Sequence, residues 1–304
     1  MQRYYFHAGK GGVGKSTTSS LVALNLARTG REVLLVSLDP AHNQSDIFDM
    51  EFGAKPRRVA PGLRVAQADI DDWIRVYLRG IEDQIRRTYT YHAAFNLGSR
   101  LNVIKHSPGL EEYALLLAFK HYRDKHPDPD VIVYDMPPTA LTMKFFNLPA
   151  LSLIWLDQLL ELRREIMEKK RIITKIHMGV CEVECDKISS RLGRQREFFT
   201  ELREVFQDGE RCRIHLVVNP DRLSFAEAGR ICTGLDEMSI PLAAVLMNKV
   251  APESVWDREH ELFRRTRVHP LPLSPDPLIG LPVLEAYLDE HGSGLGGVFS
   301  FIGE

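Results

Sequence analysis

The chain has 304 residues, with 39 Lys plus Arg against 41 Asp plus Glu and a formal charge of -2. That length holds one large domain or two small ones with a sizeable core, and the near-neutral balance argues against a nucleic-acid surface. The four cysteines are too few for a disulfide scaffold. In chain order, RYYFHAG (3–9) reads as a short buried strand and STTSSLVALNLARTG (16–30) as a helix stopped by Gly30. EVLLVSLD (32–39) is a continuous apolar run bounded by a turn, the mark of a strand buried on both faces. Residues 3–39 are therefore predicted as strand, glycine loop, helix, strand, crossing over right-handed into a parallel sheet. Residues 69–126 read as helical without a strand, with Ile70, Ile74, Tyr77/Leu78, Ile81 and Ile85 on one face. Strands follow at 130–138, 212–220 and 241–250, a charged helical stretch at 147–207, and a helix at 223–238. HPLPLSPD (269–276) is an edge strand or loop, because its prolines cannot serve a central ladder.

At least five strands alternating with helices predict an α/β fold, a mainly parallel doubly wound sheet with helices on both faces. The reading is one domain over 1–304, with a helical subdomain formed by about 69–126 and 147–207 inserted in it. No apolar segment precedes the glycine loop, and stretches such as LSLIWLDQLL (151–160) are broken by a charge before reaching the ~18 apolar residues of a membrane span. A cytoplasmic protein is expected, with a peripheral place at a membrane left open.

Gly9-x4-Gly14-Lys15-Ser16 fits the G-x-x-x-x-G-K-[ST] phosphate loop of the P-loop NTPases without a mismatch, between a predicted strand and a predicted helix. The chemistry sets these residue types. Glycines let backbone N–H groups turn inward around phosphate oxygens, and the following helix aims its positive end at the same anion. Lys15 is placed to neutralise the outer phosphates, and the Ser16 hydroxyl to reach Mg²⁺. The predicted nucleotide-binding set in the loop is Gly9, Lys10, Gly11, Gly12, Val13, Gly14, Lys15, Ser16 and Thr17.

Lys10 is a second lysine, and from the start of the loop it cannot easily reach its own triphosphate. KGGVGKST resembles the deviant phosphate loop of the family that includes cell-division and partition ATPases, the nitrogenase iron protein and the arsenite-pump ATPase. The resemblance implies an ATP-dependent homodimer in which Lys10 contacts the partner's nucleotide. LVSLDPAHNQSDIFD (35–49) is similar to the first switch of the arsenite-pump ATPases and of the ATPases that guide tail-anchored proteins to membranes, the ArsA/GET type. It implies that Asp39 positions the attacking water, a role its place after a buried strand suits, with His42 and Asn43 near phosphate or metal waters.

VIVYDMPPTALTMKFFNLP (131–149) resembles the second switch of that group, implying that Asp135 holds Mg²⁺ through water and that Thr139 and Thr142 lie in the switch; Ala140 and Leu141 replace the glycine and histidine often found there. NPDRLSFAEAGR (219–230) and LMNKV (246–250) line up with its nucleotide-recognition loops, giving Asp221 and Asn248, the latter matching the donor–acceptor edge of adenine. The resemblance to the tail-anchored-protein-targeting ATPases would imply a zinc-binding Cys-x-x-Cys soon after Asn248; this chain has none there, so no zinc is expected. Cys181 and Cys185, four apart, would share a helix face and suit a soft metalloid, though no third ligand is evident.

The predicted enzyme is an Mg²⁺-dependent ATPase, and three uses of it stay open. One is a targeting factor or chaperone with a hydrophobic protein client or a membrane partner, although 69–126 lacks methionine and 147–207 has only Met167 and Met178 to adapt an apolar groove. Another is the ATPase subunit of an arsenite or other anion efflux pump. The third, a partition-type ATPase, lacks the basic amphipathic C-terminal helix and the charge it would use.

Overall fold

The structure, a computed structural model, describes residues 1–41, 43–88, 109–178, 186–252, 254, 264 and 266–295. The strands are β1 (Arg3–Ala8), β2 (Val33–Ser37), β3 (Arg57–Ala60), β4 (Leu63–Gln67), β5 (Val131–Asp135), β6 (Cys212–Val218), β7 (Leu242–Val250) and β8 (Val268–Pro272). The helices are α1 (Lys15–Arg28), α2 (Asn43–Phe48), α3 (Ile70–Thr88), α4 (Leu110–Lys125), α5 (Thr139–Met178), α6 (Lys187–Gln207), α7 (Arg222–Glu237) and α8 (Leu281–His291). One eight-stranded sheet runs β3-β4-β2-β5-β1-β6-β7-β8. Every neighbouring pair is parallel except β3 with β4.

The sheet is buried on both faces by helices, as its uninterrupted apolar strands require. On one face Tyr4, Phe6, Ile132, Tyr134 and Ile214 meet α4, α6, α7 and the first turns of α5. Its centre is aromatic: Phe6 stacks on Tyr134 at 5.0 Å, and Phe206 meets Phe145 at 5.3 Å and Phe119 at 5.7 Å. On the other face Tyr5, Leu35, Val133 and Val217 pack against α1 and α8. The helical face anticipated on α3 is partly engaged: Ile70 and Leu78 are buried, and Tyr77 lies against Tyr113 of α4 at 4.6 Å.

Two features depart from the sequence reading. The β3–β4 pair is not legible in RRVAPGLRVAQ (57–67), because arginines interrupt the alternation and the ladder shifts register between Arg58 and Ala60. Its β4 strand is nevertheless well buried, with Leu63, Val65 and Ala66 at 0 % exposure. The second is α5, which starts at Thr139, directly after Pro137-Pro138, rather than near 147, and runs 40 residues, about 60 Å. Over residues 139–172 it is long and apolar enough to cross a membrane by length and composition, where the sequence reading found no such stretch. Within it Phe145 and Phe146 lie inside the sheet's aromatic core, and the buried positions end at Leu156.

Candidate functional site: a phosphate loop at the strand switch point

β1 lies between β5 and β6, while the chain leaves β1 for β2 on one side and leaves β5 for β6 on the other. The C-terminal ends of β1, β2 and β5 therefore frame a switch-point crevice, the place where parallel sheets bind ligands. The ladder sets His7, Ser37 and Asp135 side by side across these three strands. The phosphate loop, Asp39 and Asp135 all emerge there, so residues up to 126 positions apart in sequence share one site.

The loop passes from β1 into α1 as expected. Gly14 has φ +90°, a left-handed conformation, and a Cβ there would strike the Asn248 side-chain amide. A Cβ at Gly9 would strike the Val217 carbonyl. Gly14→Ala is accordingly expected to lower stability by ~1–3 kcal/mol and to weaken ATP binding, whereas Gly11→Ala, with nothing within 4 Å of its Cβ position, should leave urea denaturation almost unchanged. Equal denaturation midpoints for the two variants would contradict this reading of the loop.

Lys15 is buried, its Nζ 3.4 Å from the Lys10 carbonyl. Ser16 is buried at the start of α1, and its hydroxyl oxygen accepts a bond from the Asn43 amide at 3.2 Å, so Asn43 is brought to the site as anticipated. Asp39 is 7 % exposed, and its Oδ1 accepts the Ala41 N–H at 3.0 Å, which fixes the turn after β2. His42 lies outside the described residues.

Asp135 is fully buried. Oδ2 accepts a bond from Gln44 Nε2 at 3.1 Å, while Oδ1 has no partner among the described residues. Burial raises this carboxyl to about 6, opposed by Ser16, Gln44 and the Lys15 charge and reinforced by Asp39. A buried acceptor with an unused oxygen, next to a hydroxyl and a second carboxylate, fits a hard, oxygen-seeking cation such as Mg²⁺. When bound, Mg²⁺ neutralises charge on the phosphate oxygens, and Ser16 and Asp135 are the residues that would hold it. Among the described residues no cluster of three or more His, Cys, Asp or Glu is placed to ligate a metal by itself.

Thr142 closes the first turn of α5 by donating its hydroxyl to the Pro137 carbonyl at 2.7 Å. Thr139, beside it, opens that helix. Asn248 donates its amide to the Val13 carbonyl at 2.8 Å, so it braces the phosphate loop from β7. Lys249, at φ +56°, supports it with Nζ 3.4 Å from the Gly12 carbonyl. Asp221 is the N-cap of α7, its Oδ1 accepting the Ser224 N–H at 2.8 Å. Lys10 is half-buried at the loop's start. It adds to the fields that hold the Glu227 carboxyl of α7 below its ordinary range, of which the bonded Arg230 is the largest. Cys181 and Cys185 lie outside the described residues.

The sequence reading misses Gln44, Ser37, His7 and Lys249. Ser37 and His7 join the site only through strand pairing across β2, β5 and β1. His7 is fully buried, which lowers it to about 3, and it lies 3.4 Å from His215, so it is a neutral part of the floor. Gln44 carried no motif signal, though its place one residue after Asn43 puts it at the crevice.

A family profile described as the anion-transporting ATPase matches residues 2–270. A relative named as an arsenical pump-driving ATPase in Aquifex aeolicus (strain VF5) is 29 % identical over 259 residues, covering 84 % of this chain and 82 % of its own. An ATPase ASNA1 homolog of Cryptosporidium parvum (strain Iowa II) is 29 % identical over 248 residues, covering 82 % of this chain and 65 % of its own. An arsenical pump-driving ATPase of Acidiphilium multivorum is 27 % identical over 294 residues, and there this chain spans 46 % of the relative's length. With a phosphate loop, two carboxylates and a buried serine meeting at one strand switch point, and that profile running through all of them, the chain belongs to the anion-transporting ATPase family and is an ATP-hydrolysing enzyme.

Proposed function

We propose that ATP binding and hydrolysis drive an open–closed homodimer, with Lys10 acting on the partner's nucleotide, and that the dimer serves as a targeting or chaperone-like ATPase for a hydrophobic client. The observation that carries the reading is the outer face of α5. Leu151, Trp155, Leu159, Leu162 and Ile166 recur at helical spacing, all exposed, with Trp155 at 71 %. They make a stripe about 22 Å long. Leu153 and Leu156 on the opposite face are buried, and Arg163 binds Asp186 at the start of α6 at 3.0 Å. An apolar row of this length, left open on a helix fixed along its other side, fits an apolar helix of another protein. The same α5 begins four residues after Asp135, so the client face and the metal site share one rod. In this reading α5, held by α6 along its other side, is the client-facing part of the molecule.

The test uses the full chain, a fluorescent 20-residue Leu/Ala helix and a non-hydrolysable ATP analogue. Binding of the peptide is expected, and Trp155→Glu with Leu162→Glu should weaken it by at least about tenfold, since each side chain is worth ~1.5–3 kcal/mol when buried. Undiminished binding in the double variant would contradict the reading. A second reading, the ATPase subunit of an arsenite or anion pump, is favoured by the names of the relatives from Aquifex and Acidiphilium. Arsenite-stimulated turnover in the absence of any peptide effect would select it.

A further inference from the structure

Gln44 sits in the first turn of α2, three residues after Ala41, and is 0 % exposed. Its amide is surrounded by acceptors on one side and a hydroxyl on the other. Nε2 donates toward Asp135 Oδ2 at 3.1 Å, the Ser16 carbonyl at 3.2 Å and Ser19 Oγ at 3.2 Å. Oε1 accepts the Ser20 hydroxyl at 2.6 Å. The opposite amide orientation would press an oxygen against a carboxylate and a carbonyl, so the chemistry allows one arrangement. The remaining Asp135 oxygen, Oδ1, is buried without a partner among the described residues.

We propose that Gln44 is a positioning residue for the metal site: it engages one oxygen of Asp135 so that the other is the one presented to Mg²⁺, and it links that carboxylate to the turn carrying Asp39. This rests on the Mg²⁺-dependent ATPase reading. Two elements bearing the site, α2 and β5, meet at this one amide, and Ser16 joins them through its own carbonyl. Partners that orient a metal-holding group commonly change metal affinity or activity 10–100-fold when removed.

The test is nucleotide binding rather than turnover. Affinity for a fluorescent non-hydrolysable ATP analogue is measured in EDTA and again across an Mg²⁺ titration, for wild type, Gln44→Met and Ser20→Ala. Gln44→Met keeps the size of the side chain and removes both amide roles. Its EDTA affinity should stay within about twofold of wild type, while the Mg²⁺ concentration giving half the metal-dependent gain rises about tenfold. Ser20→Ala leaves Gln44 in place and removes the hydroxyl that steadies its amide, which also lies 2.8 Å from the Ser16 carbonyl, and should move the same midpoint about threefold in the same direction. It keeps the question decidable where Gln44→Met does not fold. An unchanged Mg²⁺ midpoint in the folded variants, or an equal loss with and without Mg²⁺, overturns the proposal. Wild-type binding that ignores Mg²⁺ altogether would instead overturn the reading beneath it.

Discussion

Lys10→Ala is expected to lower ATP turnover by ~10³–10⁵-fold, the contribution of a cation placed on the transferring phosphoryl group, while leaving ATP binding to the single chain within about twofold. The geometry motivates the split. Lys15, not Lys10, lies buried along the phosphate loop, and its Nζ already meets the Lys10 carbonyl. The Lys10 side chain is half-buried at the loop's start, where its charge reaches Glu227 of α7. Removing it takes nothing from the loop's own amides, so ground-state binding should survive. Loss confined to kcat is the signature of an interaction made only in the transition state. A variant whose affinity falls as much as its turnover would assign Lys10 to the chain's own nucleotide.

Asp39→Asn is expected to reduce kcat by ~10²–10⁴-fold, the usual contribution of a group that accepts or orients a proton in the transition state. The substitution keeps the shape of the side chain and an oxygen to receive the Ala41 N–H, so the turn after β2 should be retained. It removes the negative charge that an attacking water would face. Asp39 also pushes Asp135 upward, so its loss relieves one of two adjacent carboxylates. Binding of an ATP analogue in EDTA should be kept in the variant, because the phosphate loop and Lys15 are untouched. Turnover within a few-fold of wild type would remove Asp39 from the chemistry.

Much of this site was legible because phosphate binding constrains the backbone. Gly12 and Gly14 hold left-handed positions, and Gly9 and Gly14 leave no room for a Cβ, a constraint that is local in sequence. Asp39 and Asp135 were legible for a related reason: each ends a continuous apolar run, and the C-terminal ends of parallel strands meet at one crevice. What the sequence hid was contact between segments. Gln44 has no role of its own in the switch segment 35–49 until β5 is placed beside α2. Asn248 reads as a base-recognition residue, and the structure gives its amide a carbonyl of the phosphate loop. Asp221 similarly has a local role in the N-cap of α7, which a sequence motif alone does not reveal.

The fold shows the same division. Strands buried on both faces were found from their unbroken apolar runs, but the β3–β4 pair was hidden by Arg57, Arg58 and Arg64, which lie at the sheet's margin. The extent of α5 was hidden by Pro149, which sits inside the helix where a break is the usual expectation. The exposed row on α5 was hidden too. Leucines at both Leu153 and Leu159 look equivalent in sequence, and only packing shows that one is covered and the other open.

The most direct measurement mixes two inactive proteins. Lys10→Ala chains and Asp39→Asn chains are each purified, shown to be nearly inactive, then combined in equal amounts with ATP and Mg²⁺. If Lys10 serves the neighbouring protomer, every mixed dimer holds one site with an intact Asp39 and an intact incoming Lys10, and random pairing restores about a quarter of wild-type turnover. If the lysine serves its own chain, no intact site forms by mixing, and the combined sample stays as inactive as its components.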